Sequence, residues 1–241
     1  MEKYPSIFND VIGPVMRGPS SSHCAASLRI GRLCRDLMNA DIRKVYLEFD
    51  PNGSLATTHK GQGSDMGLFG GFLGWEAFDE RLPGYQQAVD NAGIDITIDI
   101  HPIGATHPNT YQITLKNSRE THSMIALSTG GGMIQVTAID SAFVSMDGDF
   151  HETLIYVKEG SQTMALLELY PVFEEVTLHR GALDFIEIKS VKPVAADLLD
   201  SIKEMDDVLY IRHLAPVLPV LSRKDLRVPF ITAEQMVRYN A

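Results

Sequence analysis

The sequence predicts an α+β protein built as two units, and three observations carry that prediction. Residues 1–147 mix helical periodicity with short alternating strand patterns and glycine turns. Residues 150–220 read as strand, helix, strand, strand, helix, strand. Between them, Met146-Asp147-Gly148-Asp149 breaks both patterns and reads as a linker.

A chain of 241 residues has room for one large domain or two ordinary ones. Its 44% apolar and 22% charged content places it among globular proteins. No apolar run approaches a membrane span, and no basic-then-apolar leader opens the chain, so a cytoplasmic protein with no membrane partner is expected. A net charge of −10 argues against a nucleic-acid partner, which needs clustered Lys and Arg.

Residues 1–19 form an extended lead-in broken at Gly13-Pro14 and Gly18-Pro19. Gly18-Pro19-Ser20-Ser21-Ser22-His23 then precedes a helix in which Ala26, Ile30, Leu33 and Leu37 recur at three- and four-residue steps. Hydroxyls, an imidazole and free N–H groups at a helix start suit a small anion. The plainer reading is a helix cap with more serines than one cap needs. Cys24 and Cys34, ten apart on that helix, lie roughly 15 Å apart along its axis, too far to bridge. Two thiols are also too few to hold an iron–sulfur cluster or a structural zinc alone, so they read as small buried hydrophobes.

Val45–Phe49 follows as a strand. In Lys60-Gly61-Gln62-Gly63-Ser64-Asp65 the glycines allow a sharp turn or close approach to a ligand, and Ser64 or Asp65 is expected to cap the next helix. The glycine spacing fits neither a phosphate loop nor a dinucleotide fingerprint. Asp79 to Gly93 reads as a helix closed by glycine. The strict alternation of Ile94–Ile100 makes a half-buried strand with its acids outward. His107-Pro108-Asn109-Thr110 is a turn into the strand Tyr111–Leu115; His107 is either a site residue or solvated. Met124–Leu127 and Met133–Ile139 flank Gly130-Gly131-Gly132, either a flexible hairpin or a place of close approach.

Beyond the linker come Thr153–Val157, a helix Thr163–Phe173, Glu175–Leu178, Asp184–Ile188, a helix Val194–Met205 and Val208–Leu214. That order is the ferredoxin-like arrangement. Residues 221–241 are a polar tail that packs on a neighbour or stays loose.

In this order the blocks Phe8–Met16, Gly18–His23, Lys60–Asp65, Phe78-Asp79-Glu80-Arg81, His107–Thr110 and Gly130–Gly132 resemble the beta subunit of the two-subunit, iron–sulfur-dependent L-serine dehydratases. The resemblance covers nearly all of residues 4–145. It implies a serine dehydratase beta-type α/β sandwich domain over residues 1–147 and a small-molecule-sensing ACT-like domain over 150–220. It also implies an alpha subunit that carries a [4Fe-4S] cluster, with no metal ligand in this chain, and a homo- or hetero-oligomer that is not active as this chain alone. The implied reaction deaminates L-serine, or a similar amino acid, to pyruvate and ammonia. An open iron acts as a Lewis acid on the hydroxyl while a base takes the α-proton. By resemblance the catalytic residues are His23, Gln62 and Asp65, with Asp65 able to pair the substrate ammonium. Substrate contacts fall to Ser20, Ser21, Ser22, Lys60, Gly61, Gly63, Ser64, His107, Asn109, Thr110, Gly130, Gly131 and Gly132.

Four departures stand out. Gln62 occupies a position where the family usually has His, and an amide does not titrate near neutral pH. His59 could substitute only if the loop bends to bring it round. Ser64 and Cys24 each stand where Thr is usual, and Lys158–Gln162 lacks the usual effector-site turn. The alternative is a non-catalytic amino-acid-binding or regulatory subunit, or, more weakly, a scaffold.

Overall fold

The computed structural model describes residues 15–158, 161–170, 172–218 and 229–240. The lead-in up to residue 14, the centre of the expected effector turn and residues 219–228 of the tail region lie outside them. Helix α1 (Ser21–Leu37) turns Ala26, Ile30, Leu33, Cys34 and Leu37 inward, the face its periodicity predicts. After it come β1 (Lys44–Phe49), α2 (Leu55–Thr58), α3 (Ser64–Phe72), a 3₁₀ turn at Leu82–Gly84, α4 (Tyr85–Ala92) and β2 (Asp95–Ile100). Strands β3 (Thr110–Lys116), β4 (Thr121–Gly130), β5 (Met133–Ile139) and β6 (Ala142–Met146) complete a six-stranded sheet ordered β2-β1-β3-β4-β5-β6. The β1–β2 pair is parallel because α2, α3 and α4 cross over between them; the other pairs in this sheet are antiparallel.

The second sheet holds β7 (His151–Val157), β8 (Glu175–His179), β9 (Phe185–Ser190) and β10 (Val208–Leu214), ordered β10-β7-β9-β8 and antiparallel throughout. Helices α5 (Ser161–Leu167) and α6 (Ala196–Lys203) complete the strand–helix–strand–strand–helix–strand order, and α7 (Ala233–Asn240) ends the described chain. One face of this sheet packs Ile155, Val157, Ile186 and Ile188 with Leu167, Leu198 and Ile202. The opposite face sends Leu154, Tyr156 and Phe185 into the core of the first sheet, where Leu214 and Val217 join them. Fully burying a side chain such as Phe185 contributes about 1.5–3 kcal/mol, so a continuous core ties the two sheets together.

Helices α1 and α3 pack with their backbones in near contact. A Cβ on Gly67 would lie 2.0 Å from the Cys24 carbonyl oxygen, and one on Gly71 2.2 Å from that of Leu28. No helix of the described residues is long and apolar enough to cross a membrane.

Four expectations are corrected. The helix expected from Asp79 begins at Tyr85, because Pro83 lacks an N–H and the Asp79 carboxylate instead pins the Arg81 amide and guanidinium in a turn. The helix expected to run to Phe173 ends at Leu167. Strand β6 was not foreseen, because the two-residue turn before it is Asp140-Ser141, left-handed at φ 48° and 66° without a glycine. Neither Ser64 nor Asp65 caps α3: Gly63 stands at the N-cap with φ 82°, and no side chain caps the helix.

Candidate functional site

One end of the six-stranded sheet gathers the glycine turns. Strand β1 finishes there at Phe49, β3 begins at Thr110, β4 ends at Gly130 and β5 begins at Met133. The first turns of α1 reach the same end. Gly132 rests against Ala25, Arg29 and Met16, and the Arg29 guanidinium donates to the Gly132 carbonyl. The Ser20 amide donates to the Gln62 carbonyl at 3.2 Å, joining the start of α1 to the Lys60–Asp65 turn. The Ser128 amide donates to the Asn109 carbonyl at 3.0 Å, so β4 braces the His107–Thr110 turn. That turn sits on the start of α2, where the Ser54 amide donates to Pro108 and its hydroxyl to Asn109 Oδ1. Helix α2 in turn ends at its C-cap residue, His59. Four of the blocks singled out in the sequence, Gly18–His23, Lys60–Asp65, His107–Thr110 and Gly130–Gly132, therefore gather at this end through hydrogen bonds and packing.

Within this cluster each predicted residue has a definite place. Ser20 is the N-cap residue of α1, but its hydroxyl bonds His23 Nδ1 at 2.7 Å rather than a helix amide. The expected serine cap is thus replaced by a serine–histidine pair. Ser21 is exposed, and Ser22 and His23 are partly buried. Lys60 is exposed, and the space beside Gly61 is open. Gly63 needs its left-handed backbone and leaves room for Pro19, whose Cδ would lie 2.9 Å from a Cβ there. Gly130, Gly131 and Gly132 all have positive φ, and the first two face open space. Thr110 donates to the His107 carbonyl at 2.7 Å, and the Asn109 amide donates to His107 Nδ1 at 3.1 Å.

Asp65 is 4% exposed, and its carboxylate accepts from His59 Nδ1 at 2.7 Å. The Gln62 side-chain oxygen, the Ser64 hydroxyl and the Tyr111 hydroxyl are buried without a hydrogen-bond partner. Burial above all pushes the Tyr111 phenol far up from its ordinary value, and the Asp65 charge adds to the shift. Phe49 packs against both rings, 5.2 Å from His59 and 5.7 Å from Tyr111. Sequence reasoning set His59 aside and did not reach Tyr111 or Arg29; only folding places them. The one signal was a histidine and an aspartate six residues apart across two glycines.

The described residues do not fit a cluster or metal of their own. They hold no group of three or more His, Cys, Asp or Glu arranged for a metal. Cys24 and Cys34 are buried in α1, and burial pushes the Cys24 thiol up to about 11 and Cys34 higher still, away from the thiolate a metal needs.

No family model matches the chain. It is 31% identical over 221 residues to the probable L-serine dehydratase, beta chain, of Bacillus subtilis, an alignment spanning 88% of this chain and 99% of that one. It is 32% identical over 153 residues to the L-serine dehydratase, beta chain, of Peptoniphilus asaccharolyticus, spanning 62% of this chain and 68% of that one.

Proposed function

This chain belongs to the L-serine dehydratase beta-chain family, and from that premise we propose that it works as one subunit of an enzyme deaminating L-serine to pyruvate and ammonia. The observation that carries the reading is the convergence of Ser20–His23, Lys60–Asp65, His107–Thr110 and Gly130–Gly132 at one sheet end. In this reading an alpha chain supplies a [4Fe-4S] cluster as Lewis acid, since the described residues here hold no group of three or more His, Cys, Asp or Glu arranged to carry one. This chain's share is to hold the substrate. The start of α1, with its first-turn amides and the Ser20–His23 pair, receives the carboxylate, since a helix start favours an anion. His107, whose Nδ1 already accepts from a backbone amide, offers Nε2–H as a donor in its neutral form. The open glycine turn at Gly130–Gly131 lets a ligand or the alpha chain come close to the backbone.

The unit spanning 150–220, with strands ordered β10-β7-β9-β8, supports an ACT-like module of ferredoxin-like topology beside a site-bearing unit at 1–147. The assembly is hetero-oligomeric and cytoplasmic in this reading, and 221–241 is its tail. The test is anaerobic co-purification with an alpha chain, followed by pyruvate formation from L-serine. Turnover that vanishes when this chain is omitted is the expected result. Because Gln62 cannot titrate, the competing reading is a regulatory subunit; a stable, cluster-loaded complex with no turnover would favour it.

A further inference from the structure

Within the proposed dehydratase, and resting on that reading, we propose that His59 is the group of this chain that moves the substrate proton, with Asp65 as its positioning residue. Four imidazoles lie at the loop end of the six-stranded sheet: His23, His59, His107, and His101, whose Nε2 pairs with Glu48 on the pleat of β1 opposite to that of Phe49. A neutral ring carries one N–H and one lone pair, and the partner of one nitrogen decides which is which. His107 Nδ1 accepts from the Asn109 amide, a group that can only donate, so its Nε2 carries the hydrogen. His23 Nδ1 faces the Ser20 hydroxyl, which both donates and accepts, so its tautomer is left open. His59 Nδ1 faces the Asp65 carboxylate at 2.7 Å, which as an anion only accepts. Of His23, His59 and His107, His59 is therefore the one whose partner forces a lone pair onto Nε2; the His101–Glu48 pair stands on the other pleat of β1, away from Phe49 and His59.

The surroundings reinforce that assignment. The Asp65 charge reaches the phenols of Tyr85 on α4 and Tyr111 on β3, where it adds to burial in pushing both up from the ordinary phenol value. Phe49 of β1 packs beside the imidazole, and the His59 side chain keeps 15% of its surface exposed. Gln62 stands three residues on with no proton to exchange. The Gly61–Gly63 turn, left-handed at Gly63, folds the chain back so that Asp65 meets His59.

The chemistry balances within this chain and the substrate. His59 Nε2 takes the Cα proton of the bound amino acid, and the C–H electron pair becomes the Cα=Cβ bond. The Cβ–O bond breaks, and the departing hydroxide takes the proton from Nε2 and leaves as water, returning the imidazole to its starting tautomer. Hydrolysis of the aminoacrylate then yields pyruvate and ammonia.

The test uses the complex assembled with its alpha chain, with cluster absorbance confirming loading. In His59→Asn the amide still donates to Asp65 but carries no basic nitrogen. We expect its kcat to fall at least about 100-fold, the scale of general-base catalysis, with KM little changed. The isotope effect with Cα-deuterated L-serine should rise above that of the unsubstituted complex. A kcat that holds, or one that falls with no change in the isotope effect, overturns the proposal and leaves the dehydratase reading intact. If neither His59→Asn nor His59→Ala assembles, His59 is a brace for the loop and the proposal fails. An unsubstituted complex that makes no pyruvate overturns the dehydratase reading itself, and the proposal with it.

Discussion

His59 with Asp65 and His122 with Asp140 are the same pair by chemistry, each closed at 2.7 Å, yet they stand in opposite surroundings. His122 is fully buried between the two sheets. Its carboxylate partner also accepts from the Tyr156 hydroxyl and the Ser123 amide, both at 2.8 Å. Tyr156 stacks on Tyr210 at 4.5 Å, Arg212 lies over Tyr210, and Arg212 donates to Glu120 and to the Leu37 carbonyl at the far end of α1. Its second ring nitrogen has only Glu120 nearby, at 3.7 Å, too long for a hydrogen bond. The His59 side chain, by contrast, keeps 15% of its surface exposed. An imidazole–carboxylate pair is thus a joint where everything around it is packed, and a candidate for chemistry where the ring keeps exposed surface. Helix α1 connects the two, starting at the loop cluster and ending on Arg212.

The largest effect expected is on activity. Asp65→Asn releases the tautomer of His59, and kcat of the assembled complex should fall by about 10²–10⁴-fold, the range of general acid–base contributions. Activity within threefold of the unsubstituted complex would erase the distinction between the pairs. Next comes the packing that supports the loop end. Gly67→Ala drives a methyl into the Cys24 carbonyl and the Ser27 hydroxyl, and denaturant unfolding should report a loss of about 3 kcal/mol. An unchanged midpoint would mean that α1 and α3 part easily.

Asp140→Asn sharpens the contrast from the other side. It turns one of two acceptor oxygens into a donor, where Oδ2 serves His122 and Tyr156 and Oδ1 serves Ser123, and should cost about 2 kcal/mol of stability while kcat stays within threefold. A large loss of turnover with little loss of stability would place this pair, too, in the chemistry.

The smallest effect has the opposite sign. Glu152 is 2% exposed, both its oxygens lack a hydrogen-bond partner, and burial followed by the nearby Glu187 charge pushes its carboxyl from 4.5 up to about 9. The folded chain thus holds a proton there that the unfolded chain releases, so this group's contribution to stability declines as pH rises from 4.5 to about 9. Glu152→Gln should remove that decline and raise stability by about 1 kcal/mol at pH 8, read as a higher unfolding midpoint. A lower midpoint at pH 8 would mean that the ionised carboxylate is wanted there.

Much of the fold was legible because period alone decides it. The three- and four-residue steps of Ala26, Ile30, Leu33 and Leu37 mark α1, and the alternation of Ile96 and Ile98 with Asp95, Thr97 and Asp99 marks β2. Strand β6 escaped because its turn keeps left-handed Asp140 and Ser141 in place with a carboxylate bound from Ser123, His122 and Tyr156, partners distant in sequence. Ser64 resembled a cap by residue type, yet the tight approach of α1 and α3 buries it beside Tyr111. Helix α7 escaped too, a short polar segment with no buried residue to give it a face.

Local patterning is enough for most of the helices and strands and for the glycine turns, because backbone preference and hydrophobic period act over a few residues. The tertiary structure alone decided that a continuous core spans both sheets and that His122 is sealed while His59 is not. It also decided that Asp65 turns toward His59, because burial and hydrogen-bond partnership depend on what long-range packing brings alongside.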